Sequence, residues 1–286
     1  MHNRIRIATV TYNSAGVIGN LLDSVPEGVE VVVADNNSTD DTCRIVEEAG
    51  VRLIRLEQNR GFGTGCNAGA AGNTREFIFF VNPDATLTPD CCRLLVKAAD
   101  AHPAAVAFNP AVLNSRGRIR LNRRSALLPR RDWTPRSYGG TDNDLSVEVR
   151  LLHGAALFCR QAAFEAIGGF DETIFLYHED DDLSVRLQQA GGKLRLEHAA
   201  KLMHLGGKSS GGSVATAQLK AYLIAQSRIY VETKHGKSAP GLQAYLRATA
   251  KLLSPLTLLS RRKRAQALSY LRGVREFDLE SYSSGK

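Results

Sequence analysis

Val29-Glu30-Val31-Val32-Val33-Ala34 runs directly into Asp35-Asn36-Asn37-Ser38-Thr39-Asp40, and then into Asp41-Thr42-Cys43-Arg44-Ile45-Val46-Glu47-Glu48-Ala49-Gly50. The first piece is a near-continuous apolar run, the pattern of a strand buried on both faces. The last reads as a helix over 40–49, with Asp40 and Asp41 in its first turn and Gly50 as its stop. Between them lies a wholly polar turn. A doubly buried strand feeding a helix is the repeating unit of an α/β sheet.

The same alternation extends outward. Residues 4–10 read as a strand, 15–24 as a helix and 51–56 as a third strand. Residues 66–72 read as a helix, and Phe77-Ile78-Phe79-Phe80-Val81 as a fourth strand. A helix follows over 89–100, with Thr88 as N-cap and Pro89 in its first position. Right-handed crossovers then give a mostly parallel, doubly wound sheet with helices on both faces. Ligands of such sheets bind beyond the carboxyl ends of the strands. Four successive strand ends carry polar or glycine-rich segments: Thr11-Tyr12-Asn13, the Asp35–Asp40 turn, Asn59-Arg60-Gly61-Phe62-Gly63-Thr64-Gly65-Cys66-Asn67, and Asn82-Pro83-Asp84. They point to one rim and one site.

Beyond residue 110 the pattern changes. Residues 112–150 are rich in Arg, Pro and Gly and read as loops and short strands over the sheet. Residues 151–159 are apolar, and 162–167 form a short helix stopped by Gly168-Gly169. Helices over 214–233, 242–253 and 261–274, punctuated by Pro240 and Pro255, make a C-terminal extension. The division expected is a domain over 1–214, with halves at 1–110 and 111–214, followed by a helical extension over 215–286.

The chain has 286 residues, 43% apolar and 23% charged, which excludes disordered, collagen-like and coiled-coil classes. No apolar stretch reaches the length of a spanning helix, and the N-terminus lacks the pattern of a signal peptide. Five cysteines without C-x-x-C spacing argue against a disulfide framework or a structural zinc and fit a reducing cytoplasm. The net charge of +8 is unevenly spread. Between Glu232 and Glu276 there are ten cations and no acid, and residues 116–136 hold eight arginines against Asp132 alone. Such blocks attract phosphates.

His178-Glu179-Asp180-Asp181-Asp182 reads in two ways. It is the acid-rich first turn of a helix ending at Gly191-Gly192, or it holds a carboxylate rigidly for proton transfer. Asn82-Pro83-Asp84 is ordinary turn chemistry or a ligand loop at a strand end. Residues 61–66 miss the dinucleotide fingerprint because Cys66 stands where its third glycine belongs. Gly207-Lys208-Ser209 imitates the end of a P-loop, but Leu202 occupies the place of the required upstream glycine. His204, after an apolar stretch, is structural or a metal ligand with Asp84.

Together with His153-Gly154-Ala155-Ala156-Leu157, Gly168-Gly169-Phe170-Asp171-Glu172 and His204 through Ser210, these segments resemble, in order, the family 2 glycosyltransferases of the GT-A fold. Within that family they are similar to the bacterial rhamnosyltransferase-like branch. The resemblance covers about residues 5–230. It implies that Thr11, Tyr12, Asp35 and Asn36 surround the nucleobase and ribose, with Asn59, Arg60 and Gly61 against the nucleotide. Asn82-x-Asp84 takes the D-x-D position, with Asn82 keeping an oxygen donor but losing a charge. Asp84 and His204 are the implied ligands of Mg²⁺ or Mn²⁺, Asp180 the catalytic base, and Glu179 and Asp182 the shapers of the acceptor site. Residues 1–110 are then nucleotide-sugar-binding and residues 111–214 acceptor-side. The implied activity is inverting transfer, with L-rhamnose from dTDP-L-rhamnose preferred and UDP-sugars second, to a glycan or lipid-linked saccharide in cell-surface polysaccharide synthesis. Arginines of 116–136 would assist the leaving phosphate. The extension is either packed helices with a solvated basic face, or a surface at 240–275 resting on anionic lipid at the inner face of the cell membrane.

Two rivals fare worse. A sugar-nucleotide pyrophosphorylase needs a basic glycine-rich loop directly after the first strand, where Thr11-Tyr12-Asn13-Ser14 stands. A basic nucleic-acid-binding protein leaves the acids and His204 unexplained, so no nucleic-acid partner is expected.

Overall fold

The computed structural model describes residues 1–121, 124–139, 146–204 and 213–283. Arg123 and the Leu205–Ser210 stretch of the last motif, with its Gly207-Lys208-Ser209, lie outside the described residues.

The first half alternates as the sequence implies: β1 (Ile5–Thr11), α1 (Ile18–Asp23), β2 (Glu30–Asp35), α2 (Thr42–Glu48), β3 (Arg52–Arg55), α3 (Phe62–Ala70), β4 (Phe77–Val81), β5 (Ala85–Leu87) and α4 (Cys91–Ala101). The second half holds β6 (Ala105–Leu113), β7 (Ile119–Arg120), β8 (Ser146–Val149), β9 (Ala156–Arg160), α5 (Gln161–Ala166), α6 (Glu179–Gln189) and β10 (Lys193–His204). The extension holds α7 (Val214–Lys234), α8 (Pro240–Leu252), α9 (Pro255–Leu258), α10 (Arg261–Arg275) and α11 (Leu279–Ser283).

All strands join one sheet, ordered β3-β2-β1-β4-β9-β6-β10-β5, with β7 beside β6 and β8 beside β10. The β3-β2-β1-β4 half is parallel. The other half is mixed: β9 runs antiparallel to β4 and β6, while β10 is parallel to β6 and antiparallel to β5. The strand alternation of residues 4–100 therefore describes the parallel half alone.

Period-two alternation divides the core between the faces of the sheet. Phe77, Phe79 and Val81 pack with Ile5, Ile7 and Val33 on one face, while Ile78 and Phe80 pack with Ala8, Val10 and Leu183 on the other. Three fully buried phenylalanines meet at the β4–β9 seam, with Phe77 and Phe158 stacked at 4.7 Å and Phe79 edge-on to Phe158 at 5.7 Å.

Several helix starts are displaced from expectation, those of α4 and α3 among them. α4 begins at Cys91 with Asp90 at its N-cap, while the Thr88 hydroxyl donates to the Lys201 carbonyl at 2.7 Å. α3 begins at Phe62 rather than residue 66, so most of the glycine-rich segment is helical. Its glycines permit close packing on β1: a Cβ at Gly65 would sit 2.6 Å from Val10, and one at Gly69 would sit 2.8 Å from Ala8. Those two close approaches are made to the sheet, not to a ligand.

Candidate active site

The carboxyl ends of β1, β2 and β4 open onto a cleft of about 220 Å³ lined by Thr11, Tyr12, Asn36, Asn59, Gly61, Asn82 and Asp84, among others. Its floor is tied together by polar side chains. Thr11 Oγ1 donates to Asp35 Oδ1 at 2.7 Å, and Ser38 N donates to Asp35 Oδ2 at 2.8 Å. Asp35 is thus buried as the clamp of its own turn. Asn36 Nδ2 donates to the Gly61 carbonyl at 3.0 Å, while its Oδ1 accepts from Arg60 N at 3.3 Å. Gly61 has φ +90°, and a Cβ there would fall 2.1 Å from the Phe175 carbonyl oxygen, so only glycine fits. The Arg60 side chain turns away, 3.6 Å from Glu172, into a neighbouring cavity of about 610 Å³ bounded by α7 and α11.

Sheet register brings His204 to this rim. β10 is antiparallel to β5 with His204 opposite Ala85, the neighbour of Asp84. His204 Nε2 lies 2.9 Å from Asp84 Oδ1, and Asn82 Nδ2 lies 3.4 Å from the same nitrogen. Asp84 Oδ2 and His204 Nδ1 are buried without hydrogen-bond partners. Such orphaned atoms are costly unless something uses them. No group of three or more His, Cys, Asp or Glu side chains placed to hold a metal occurs among the described residues. Asp84 and His204, with Asn82 beside them, would suit a divalent cation that takes its remaining ligands from phosphate oxygens and water.

The turn 153–155 connects this wall to Asp180. Asn82 N donates to the Ala155 carbonyl at 3.0 Å. The His153 ring lies edge-on to His204 at 6.4 Å. Gly154 N donates to Asp180 Oδ2 at 3.1 Å. Three successive residues thus meet Asn82 and the His204 ring on one side and Asp180 on the other. Ala155 N donates to His153 Nδ1 at 3.0 Å, which leaves the proton of a neutral ring on Nε2. Burial and the charges of His204 and Arg120 push His153 down to about 4, so the ring is neutral.

α6 delivers the acids through an unusual entry. Tyr177 and His178 have φ +71° and +66°, left-handed conformations that cost about 1–3 kcal/mol each and cluster at functional sites. Nothing in their residue types signals this. Asp180 is partly exposed, and burial together with the Asp181 charge raises its carboxyl above the ordinary range. Glu179 is buried with an unpartnered Oε2, and desolvation and Asp180 raise it well above a normal carboxylate. Glu179 is therefore held mainly protonated at neutral pH.

The next two acids face elsewhere. Asp181 accepts from Ser125 Oγ at 2.5 Å and from Ala126 N at 2.7 Å, gripping the 116–136 segment. Asp182, expected to shape the acceptor site, is fully buried and away from the cleft surface. Its oxygens meet Arg186 Nε at 2.7 Å, Lys234 Nζ at 2.8 Å and His235 Nε2 at 2.8 Å. Hydrogen bonds from His235 and Lys234 and the charges of Arg186 and Lys234 hold its carboxyl far below the usual range despite burial. Asp182 is the tie between α6 and the end of α7, one buried anion shared by Arg186, Lys234 and the His235 ring. The acidic run in the sequence does not separate these uses.

Comparison with known proteins identifies the family. Residues 7–168 match the sequence profile described as Glycosyl transferase family 2. A curated relative from Mycobacterium tuberculosis, N-acetylglucosaminyl-diphospho-decaprenol L-rhamnosyltransferase, is 29% identical over 96% of this chain and 99% of its own length. Among solved structures, the chain is similar in fold to the mannosyltransferase PcManGT from Pyrobaculum calidifontis in complex with GDP-Man and Mn²⁺, with TM-score 0.59, 18% identity, and coverage of 95% of this chain and 86% of that one. It is also similar to S. aureus TarS 1–349 in complex with UDP-GlcNAc, with TM-score 0.55, 17% identity, and coverage of 99% and 92%. The chain is a glycosyltransferase, a member of glycosyl transferase family 2.

Proposed function

We propose that the protein transfers a sugar with inversion from a nucleoside diphosphate sugar to a saccharide carried on a polyprenyl diphosphate, with Asp180 as general base. The observation that carries this reading is the 153–155 turn, where the His153 ring lies edge-on to His204, Gly154 N donates to Asp180 Oδ2 and the Ala155 carbonyl accepts from Asn82 N. The nucleotide lies in the cleft between Thr11, Asn36 and Gly61. Asp84 and His204, with Asn82 beside them, would hold Mg²⁺ or Mn²⁺, which would supply positive charge to offset the charge developing on the diphosphate. Asp180, its Oδ2 held by Gly154 N, takes the proton of the acceptor hydroxyl as that oxygen attacks the anomeric carbon. Its raised pKa makes it a stronger base once ionised. Glu179, protonated beside it, keeps a second negative charge out of the site. One base and one displacement give inversion, through a transition state akin to that of inverting glycoside hydrolysis.

L-rhamnose from dTDP-L-rhamnose is the preferred donor sugar and a diphosphate-linked saccharide the preferred acceptor. Their support is the near full-length relative whose name states a rhamnosyl transfer to N-acetylglucosaminyl-diphospho-decaprenol. A thermal-shift panel of nucleoside diphosphates and their sugars, each with Mg²⁺ or Mn²⁺, tests the donor. At a ligand concentration about 100-fold above Kd, binding adds about 2.7 kcal/mol of stability. dTDP-L-rhamnose with a divalent cation is expected to give the largest shift. A larger shift with a UDP-sugar reassigns the donor, and no shift with any member contradicts the reading.

We also place the protein in the cytoplasm, resting peripherally on anionic lipid through residues 240–275. No helix among the described residues is long and apolar enough to cross a membrane. The support for a peripheral contact is an apolar face of α8, where Leu242 and Leu246 are exposed, with exposed Leu253 just past its end. It continues into exposed Leu256, Leu258 and Leu259, beside Arg261, Arg262 and Lys263. Leucines flanked by cations are the composition of an interfacial helix.

A further inference from the structure

The arginines of 116–136 are not consumed by the chemistry above, yet the segment that carries them is fastened to the site. Asp181 grips it through Ser125 Oγ and Ala126 N. Leu127 is buried with Ile174 and Val231. Arg120 lies close enough to His153 for its charge to depress that imidazole.

Arg124 directly precedes Ser125, and Ser125 is bonded to the neighbour of the base. Arg124 and Arg130 each place a guanidinium carbon 5.9 Å from the centre of the Trp133 ring. The ring is oriented by its own N–H, which donates to the Leu128 carbonyl at 3.3 Å. Both arginines are exposed, and no described acid pairs with either of them, Asp132 included. Two guanidinium groups beside one indole, with no described acid paired to either, offer positive charge to a multiply charged anion. Planar guanidinium groups match phosphate oxygens in pairs.

We propose that Arg124 and Arg130, stacked on Trp133, form a diphosphate subsite for the acceptor. This rests on the transferase reading. The chemistry of the ligand, a diphosphate ester, is common to donor and acceptor; the placement distinguishes them. The donor's diphosphate belongs to the Asn82–Asp84–His204 wall. Arg124 is fastened through Asp181 to the opposite side, where Asp180 meets the attacking hydroxyl. The class of acceptor is accordingly a saccharide joined through a diphosphate to a lipid or other aglycone.

Calorimetry with two probes and no donor tests this. One probe is N-acetylglucosamine diphosphate carrying a short isoprenoid chain. The other is an alkyl N-acetylglucosaminide of equal chain length, without phosphate. The wild-type protein is expected to bind the first at least about 10-fold more tightly, with an advantage that shrinks as salt rises. Arg124→Gln and Arg130→Gln should each weaken the first probe about 10-fold and leave the second, and the thermal midpoint, unchanged. Arg130→Lys should recover part of the loss. Affinity for a nucleoside diphosphate with Mn²⁺ should not move. Equal binding of the two probes by the wild-type protein overturns the proposal. So does a loss that falls on the nucleoside diphosphate instead, which would give these arginines to the donor. Failure of every nucleotide sugar to act as donor would reject the transferase reading on its own terms, while the two-probe comparison still decides the subsite.

Discussion

Asp180 occupies the second position of α6, one oxygen held by Gly154 N at 3.1 Å and the other by Asp181 N at 2.9 Å. Those bonds fix the carboxylate without neutralising it, as a general base requires. Its pKa is raised above the ordinary aspartate value of 3.8, and the ionised form is the active one. Activity should therefore fall as pH is lowered through that raised value, at a higher pH than an exposed aspartate would give. A pH profile of kcat/KM reads this directly. A profile that stays flat down to the ordinary carboxylate range contradicts the assignment. His153, pushed down to about 4, becomes charged only at the acid end of that interval.

At the scale of elements, α6 is held from both ends of its acidic turn. Asp181 holds the 116–136 segment, and Asp182 holds Arg186, Lys234 and His235. The Asp182 pKa is lowered in the folded protein. Its stabilisation is thus fully present above the unfolded carboxylate value and is lost as pH falls through and below it. Asp182→Asn should cost about 3–5 kcal/mol, because it leaves Arg186 and Lys234 around a buried amide without their anion. It should also flatten the acid side of the stability curve. Chemical denaturation at neutral and acid pH checks both, and a near-neutral change would show that the tie carries no stability. This division of labour is only partly legible in the sequence. The strands from residue 4 to 81 announce themselves by apolar runs ending in polar turns, and Asn82-Pro83-Asp84 is visible because it terminates one of them. The partners of Asp182 on α7 lie about 50 positions away, and the left-handed entry at Tyr177-His178 has no local signature. His153 has no role legible in its own segment, because its contact with His204 depends on how β9 and β10 are placed in the sheet. That mixed half is built from pairings between distant strands, which periodicity does not report.

For the whole molecule, the mixed sheet gathers residues from position 11 to position 204 on one rim, and α7 fastens the extension to the helix that carries Asp180. We propose on this ground that the extension belongs to the working enzyme rather than forming a detachable module. Its exposed leucines and basic residues give a test at the same scale. Pelleting with phosphatidylglycerol vesicles should be strong at low salt and weak at high salt, since each basic residue near an anionic surface contributes about 1 kcal/mol. Leu253→Ser combined with Leu259→Ser should reduce it, and equal pelleting with neutral vesicles would remove the electrostatic side of the reading. The central claim is that the cation wall and the base serve one reaction from opposite sides. Donor binding and transfer, measured side by side for Asp180→Asn and Asp84→Asn, examine it most directly. Asp180→Asn should bind the nucleotide sugar with Mn²⁺ as the wild type does and lose about 10²–10⁴-fold in turnover. Asp84→Asn should lose the cation-dependent component of donor binding. Near-wild-type transfer by Asp180→Asn, or cation-dependent donor binding untouched in Asp84→Asn, would contradict it.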